Sequence, residues 1–361
     1  MSLDHYVTLG SSGLRISPFC LGAMTFGEDW GWGASAADCD TIMSRFIERG
    51  GNFIDTANVY TKGHSEKIIG DFIGRDRRRR DRIVLATKFF GNLYPGDPNA
   101  GGAGRKNIVA SCEQSLRRLQ TDYIDLYWMH AWDRFTPIDE TMRALDDLVT
   151  AGKVRYIGFS DTPAWKVAQA QTLASLRGWS RLIALQIEYS LLERTVEGEL
   201  IPMALELGLG VTPWSPLRGG ALSGKYTRDN AASVKADRGE RVTAALGEKA
   251  FAIIDELIRI ARAHDTTPAA IALAWVRGRP GVASTIIGVR RLDQLDQNLA
   301  ALDVTLAPDD VSALDALSKP ALGFPMAFMN VATMFSHSGA TVNGEKSIVW
   351  PLAPASDAER Y

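Results

Sequence analysis

The sequence predicts an α/β fold closed into a (β/α)8 TIM barrel, and three observations carry that prediction. Eight short apolar runs of strand length recur: 19–24 (FCLGAM), 52–55 (NFID), 83–88 (IVLATK), 123–130 (YIDLYWMH), 155–160 (RYIGFS), 182–188 (LIALQIE), 210–214 (GVTPW) and 284–288 (STIIG). Stretches with helical period lie between them, among them 36–49, 64–74, 107–119, 137–151, 163–177, 195–207 and 268–278. Strand and helix in alternation imply βαβ units with parallel pairing, and eight such units suggest closure of the sheet. The third observation concerns the competing architecture, an open doubly wound sheet, which normally carries a Gly-rich turn after its first strand. The Gly-rich stretch here, GGAGRKN at 101–107, follows a Pro/Gly loop at 93–100 instead of ending a strand.

The elements follow in order. Tyr6–Leu9 and Ile16–Cys20 flank GSSG and read as an N-terminal hairpin. Pro137, Pro163 and Pro268 fit first helical turns, with Thr136, Thr162 and Thr267 before them as caps. Gly50, Gly152 and Gly208 follow helical patterns where a left-handed residue is expected. Arg77–Arg80, between Asp76 and Asp81, reads as a solvated loop and helix C-terminus. The segment 216–247 is irregular and polar, and 319–361 is a tail with Gly, Pro and aromatic residues. Neither reads as a separate domain, so 1–361 is expected to be a single barrel domain with a core from about 6 to 315.

Composition narrows the function classes. A hydrophobic content of 46%, a charged content of 23% and a formal net charge of −2 are ordinary for a globular protein. No global field draws in nucleic acid or an anionic membrane. Cys20, Cys39 and Cys112 are too few and too widely spaced for a disulfide framework or a zinc site. His5, His64, His130, His264 and His337 are scattered without a metal-binding grouping. MSLDHYVTLG has no apolar leader region, and no apolar run approaches the ~20 residues that span a bilayer, so a cytoplasmic location is expected.

Active sites of such barrels sit at the C-terminal ends of the strands. There the second run ends in Asp55 with Tyr60 just after it, the third in Lys88 and the fourth in His130. A buried Lys88 needs a counter-ion, which Asp55 supplies. The same cation beside Tyr60 is expected to lower the phenol pKa and prepare it as a general acid. His130 is expected to hold a substrate oxygen against Tyr60. A site that protonates an oxygen needs an electron pair from elsewhere, and with no metal set a nicotinamide hydride is the natural complement. A Schiff-base aldolase would use Lys88 differently, as a nucleophile, and the neighbouring Asp55 and Tyr60 argue against it.

DTANVY, LATKF, YWMH, GFS, QIEYS, PWSPLRGGALSGKY and IIGVRRLDQLDQNL occur in this order along the chain. With them the sequence resembles the aldo-keto reductases, in the branch with bacterial reductases and potassium-channel β subunits. The resemblance implies a catalytic tetrad of Asp55, Tyr60, Lys88 and His130. It implies NADPH or NADP+ as cofactor, NADH being possible. Ser160 and Gln186 would hold the nicotinamide carboxamide and Trp214 would stack on its ring, with Met24 and Asp55 also beside the cofactor. Ser215, Leu217 and Gly219 would hold the pyrophosphate, and Lys225 a phosphate. Gly288, Arg290, Gln294, Gln297 and Asn298 would hold the adenosine end. Arg290 beside a helix N-terminus favours the 2′-phosphate. Asp161 stands where the family often has Asn, and Gln297 where Glu is more frequent.

Met24, Phe26, Trp30, Trp32, Phe89, Phe90, Trp132, Phe324 and Phe328 are expected around the pocket, with Trp30, Trp32, Phe89 and Trp132 as substrate contacts. An aromatic rim suits a small-molecule carbonyl or alcohol on a hydrophobic or sugar-like ring. The function expected is reduction of an aldehyde or ketone, or the reverse. The alternative is an NADPH-binding regulatory subunit with little turnover, similar to the channel β subunits. No nucleic-acid or membrane partner is expected, and a homo-oligomer is possible.

Overall fold

The computed structural model describes residues 2–74, 76–230, 242 and 245–360. A small antiparallel pair, β1 (Val7–Thr8) and β2 (Arg15–Ile16), comes first. The barrel strands are β3 (Phe19–Gly22), β4 (Phe53–Asp55), β5 (Val84–Phe89), β6 (Ile124–Met129), β7 (Val154–Ser160), β8 (Leu182–Glu188), β9 (Gly210–Trp214) and β10 (Thr285–Gly288). All neighbours pair in parallel in the order β10-β3-β4-β5-β6-β7-β8-β9. The sheet nearly closes on itself where Val211 donates to Gly281 O and accepts from Ala283 N, each at 2.9 Å. All eight expected strands are present, with ends differing by one or two residues. The hairpin is shorter than expected, because Phe19 and Cys20 pair with β10 as the first barrel strand.

Strand parity builds two cores. On β5, Val84 and Ala86 face the barrel interior, where they pack with Cys20, Phe53, Leu126, Trp128 and Ala184. Leu85 and Phe89 face outward into the larger core between barrel and helices. Leu9 and Ile16 of the hairpin join the interior cluster from below the strand starts. One close approach sets a local rule. Gly158 on β7 lies under the Trp128 ring, and a Cβ there would sit 2.4 Å from Trp128 Cζ3 and 3.0 Å from Ala184 O.

The first seven helices lie between hairpin and β9: α1 (Ala36–Glu48), α2 (His64–Gly74), α3 (Arg77–Arg80), α4 (Arg105–Leu119), α5 (Ile138–Thr150), α6 (Ala164–Arg177) and α7 (Leu200–Glu206). Then come α8 (Glu248–Ala263) and α9 (Pro268–Arg277) before β10, and α10 (Leu292–Leu299) and α11 (Pro308–Ser318) after it. The structure therefore adds α8, α10 and α11 to the segments named from periodicity. Helix α8 buries Ala250, Ile253, Ile254, Leu257, Ile260 and Ala261, a pattern at helical spacing. The expected tail also holds a helix, α12 (Met326–His337), and a two-residue hairpin at Thr341–Val342 and Glu345–Lys346. Of the irregular segment 216–247, residues 231–241, 243 and 244 lie outside the described residues. Among the described residues no helix is long and apolar enough to cross a membrane.

Several local expectations change. Thr267 does cap α9, accepting from Ala270 N, with Pro268 in the first turn. Pro137 and Pro163 instead stand at the cap positions themselves in extended conformation, so those helices begin one residue later. Thr136 donates to Asp133 and Thr162 to Ser160 O, so neither hydroxyl caps a helix. Gly50, Gly152 and Gly208 are left-handed as expected. In the arginine run, Arg77–Arg80 is a short helix capped by Asp76 rather than a loop. Arg80 is buried there, pairs with Asp125 at 2.8 Å and donates to Thr121 Oγ1, Ile83 O and Tyr123 O. A planar fork with every arm engaged is what allows this cation to leave water.

Gly158→Ala is expected to force Trp128 off its seat and to lower stability by about 1–3 kcal/mol, the usual range for overpacking. Chemical denaturation checks this, and an unchanged midpoint would mean that the barrel interior absorbs a methyl group without rearrangement.

Candidate active site

The inward parity that packs the barrel interior also aims its upper layer. Phe53 faces inward, so Asp55 does too; Val84 and Ala86 lead to Lys88, Leu126 and Trp128 to His130, and Ala184 to Gln186. Polar side chains therefore meet at the C-terminal mouth of the barrel.

Lys88 is fully buried there. Its ammonium donates to the Asp55 carboxylate, to Thr56 O at 2.8 Å and to the Tyr60 hydroxyl at 3.3 Å. All three of its N–H arms have an acceptor. Burial pulls this amine down, but Asp55 and then Tyr60 more than offset it, and the Lys88 pKa lies above the ordinary lysine value. A protonated, saturated ammonium is unsuited to Schiff-base attack. Asp55 also accepts from Gln186 Nε2 at 3.2 Å, a link not anticipated from sequence.

Tyr60 corrects one expectation. Burial is the largest influence on its phenol and pushes it up; Lys88 pulls it down and Asp55 pushes it up again, leaving it above the ordinary tyrosine value. Tyr60 as a whole is half-buried. In this state Tyr60 is a protonated donor, and the nearby cation limits a rise that burial would otherwise make larger. His130 stands edge-on to Tyr60, with ring centroids 5.7 Å apart. Burial, helped by the Lys88 charge, lowers its pKa to about 3, so the imidazole is neutral at ordinary pH.

The chain around Tyr60 is unusual. Thr61 and Lys62, neither of them glycine, adopt left-handed backbone at φ 45 and φ 60. Side chains hold that turn. Thr61 Oγ1 donates to Phe26 O at 2.7 Å and accepts from Ser65 N at 2.9 Å. Ser65 Oγ donates to Ala23 O and meets Thr56 Oγ1. Behind them the buried Glu66 accepts from Thr87 and from Arg118, joining α2, β5 and α4. Sequence reasoning passed over Thr61, Ser65 and Glu66, whose i, i+4 and i+5 spacing was the one available signal.

A second group lies beside the first. Ser160 ends β7 in register with Gln186 on β8. Its hydroxyl is buried beside the Asp161 carboxyl without a well-formed hydrogen bond among the described residues. Trp214 Nε1 donates to Asp161 Oδ1 at 3.0 Å. An orphaned hydroxyl, an amide side chain and an indole at one strand-end layer fit a carboxamide-bearing ring. Further round the rim, Ser215 takes a left-handed φ of 52 and accepts Gly219 N–H on its hydroxyl. Leu217 precedes Arg218, which pairs with Glu188 across the loop. Arg290 lies two residues before α10, its N–H donating to Gln294 Oε1 at 2.9 Å. Asn298 is buried in α10, while Gln297, Gly288 and Lys225 are exposed. Met24 is half-buried two residues past β3.

Among the aromatic residues, Trp30 meets Tyr60 edge-on at 6.5 Å and lies tilted against Trp32 at 5.6 Å. Trp132 packs against Trp165. Phe89 does not line the mouth as expected: one residue past Lys88, it has outward parity and packs on Tyr127 in the helix-facing core. Phe26 is likewise core, and Phe328 packs on Phe335 within the tail.

The model of the Aldo/keto reductase family matches residues 18–319. An uncharacterized oxidoreductase, YrpG, of Bacillus subtilis is 39% identical over 311 residues, covering 84% of this chain and 92% of that protein. Norsolorinic acid reductase of Aspergillus flavus is 36% identical over 337 residues, covering 90% and 84% respectively. A putative aryl-alcohol dehydrogenase, AAD14, of Saccharomyces cerevisiae is 34% identical over 334 residues, covering 88% of each. A barrel of this topology, a mouth built from Asp, Tyr, Lys and His, and a match over most of the length lead to one conclusion: the chain is an oxidoreductase and belongs to the aldo/keto reductase family.

Proposed function

We propose that this enzyme uses NADPH to reduce an aldehyde or ketone to the alcohol, or runs the reverse reaction, with Tyr60 as general acid and base. The observation that carries the proposal is the Lys88 ammonium in contact with both the Asp55 carboxylate and the Tyr60 hydroxyl. When bound, the nicotinamide supplies a hydride to the carbonyl carbon. The chain's own residues do the rest. Tyr60 donates its proton to the oxygen as negative charge grows there, and Lys88 stabilises the phenolate left behind. Neutral His130 offers an N–H to the same oxygen without the cost of a second buried cation. In the oxidative direction Tyr60 takes the proton back. Gln186 and Ser160 would hold the carboxamide and Trp214 the ring face, and Met24 would flank them. Ser215, Leu217, Gly219 and Lys225 would hold the phosphates; Gly288, Arg290, Gln294, Gln297 and Asn298 would hold the adenosine end.

For the substrate, an aryl carbonyl is favoured. Trp30 and Trp32 stand over the Tyr60 side of the mouth, with Trp132 on the His130 side, and flat π-faces suit an aromatic ring. One relative carries a name that refers to aryl alcohols, which points the same way.

Two experiments test the proposal. Tyr60→Phe keeps the ring and removes only the proton donor, so NADPH affinity should stay within about twofold while kcat falls by roughly 10²-fold or more. Unaltered turnover on a benzaldehyde series would defeat the mechanism. Arg290→Ala should weaken NADPH by about tenfold or more and leave NADH nearly unchanged, because a charge-assisted contact to the 2′-phosphate is lost. Fluorescence titration with both cofactors reads this, and an equal loss for the two would remove Arg290 from cofactor selection.

A further inference from the structure

Asp161 is an acidic side chain beside Ser160 and Trp214 that the proposed chemistry leaves without a task. It follows β7 immediately, with a left-handed φ of 42. Its backbone is fixed on both sides: Asp161 N donates to Gln186 O at 3.2 Å, and Trp132 N donates to Asp161 O at 3.4 Å. Its carboxylate takes the Trp214 indole N–H at 3.0 Å. An amide would accept that N–H equally well, so the hydrogen bond alone does not require a charge. The charge has to be explained by something else at the mouth.

We propose that Asp161 is a positioning residue with a second role: it anchors Trp214 and sets an anion beside the nicotinamide ring, so that the site holds oxidised cofactor more tightly than reduced. The proposal rests on the reading of this mouth as an NADPH site. The physical basis is charge. A nicotinamide ring is cationic when oxidised and neutral when reduced, and a fixed carboxylate a few ångströms away favours the cation. The same field favours hydride delivery to a carbonyl, because the ring gains positive charge as the hydride leaves.

The surrounding charges support this assignment. Lys88 is already neutralised by Asp55, and Glu188 by Arg218, so neither dominates the mouth. Tyr60 and His130 are both uncharged at ordinary pH. Asp161 remains exposed on its open side, although protein crowds the carboxyl from most directions. That crowding raises it to about 6; the Trp214 N–H lowers it, Glu188 raises it, and Lys88 and then the Ser160 hydroxyl lower it. The carboxylate is therefore charged at pH 8 and loses its charge as the pH falls below 6.

The test is the ratio of dissociation constants for NADPH and NADP+, measured by titration of the protein from pH 5 to pH 8. Wild type should prefer NADP+ about fivefold more strongly at pH 8 than at pH 5, the size expected for a partly screened charge pair. The cofactor's own 2′-phosphate also titrates in this range, but it does so in both forms and cancels from the ratio. Asp161→Asn tolerates the same backbone and keeps an acceptor for Trp214. Its ratio should be independent of pH, at the acid value of wild type. A flat wild-type ratio, or an Asp161→Asn ratio that matches wild type at pH 8, overturns the assignment and leaves the proposed function standing. Failure of wild type to bind either cofactor would overturn both.

Discussion

One buried ammonium organises this protein. Lys88 sits without solvent contact among an apolar barrel interior below and a polar mouth above. An unpaired charge in that position would cost several kcal/mol, and removing one partner of such a pair typically costs about 3–5 kcal/mol. The chain meets this constraint with three acceptors from different elements: the Asp55 carboxylate on β4, the Thr56 carbonyl just after it, and the Tyr60 hydroxyl on the following turn. The residues that neutralise the lysine are also held by it. Satisfying the charge and fixing the Tyr60 hydroxyl are therefore one arrangement.

That arrangement depends on a turn the backbone does not favour by itself. Two non-glycine residues in left-handed conformation follow Tyr60, and each costs of order 1 kcal/mol or more. The hydroxyls of Thr61, Ser65 and Thr56 compensate by tying the turn to the loop after β3. The ring of Tyr60 is thereby set by packing and hydrogen bonds rather than by its own preference. Trp30 touches it from the same loop, so the Tyr60 ring and the aromatic wall of the mouth are held by shared contacts.

Electrostatics at the mouth are more balanced than residue types alone suggest. The Lys88 cation does not bring the Tyr60 phenol below its ordinary value, because burial works against it. His130 is kept neutral by the same burial and by the same cation. At the rim Glu188 is paired with Arg218, and Asp161 accepts from the Trp214 indole. Among these residues the carboxylate of Asp161 is held by a neutral donor, which leaves its charge to act on whatever lies beside Trp214.

Much of this was legible in the sequence. The eight apolar runs became the eight strands, because strand length and spacing follow from local composition. Parity along each strand was already written in NFID, IVLATK and YIDLYWMH, since every second residue of an apolar strand must share a face. The same rule, applied strictly, would have turned Phe89 away from the mouth. What the tertiary structure decided was every property that depends on distance between segments far apart in the chain. The Gln186–Asp55 and Trp214–Asp161 contacts, the burial of Arg80 against Asp125, and the balance that raises the Tyr60 phenol all arise when closure of the sheet brings separate strand ends together. Local pattern determines which side chains point inward; only closure determines what they meet and how much water is excluded when they do.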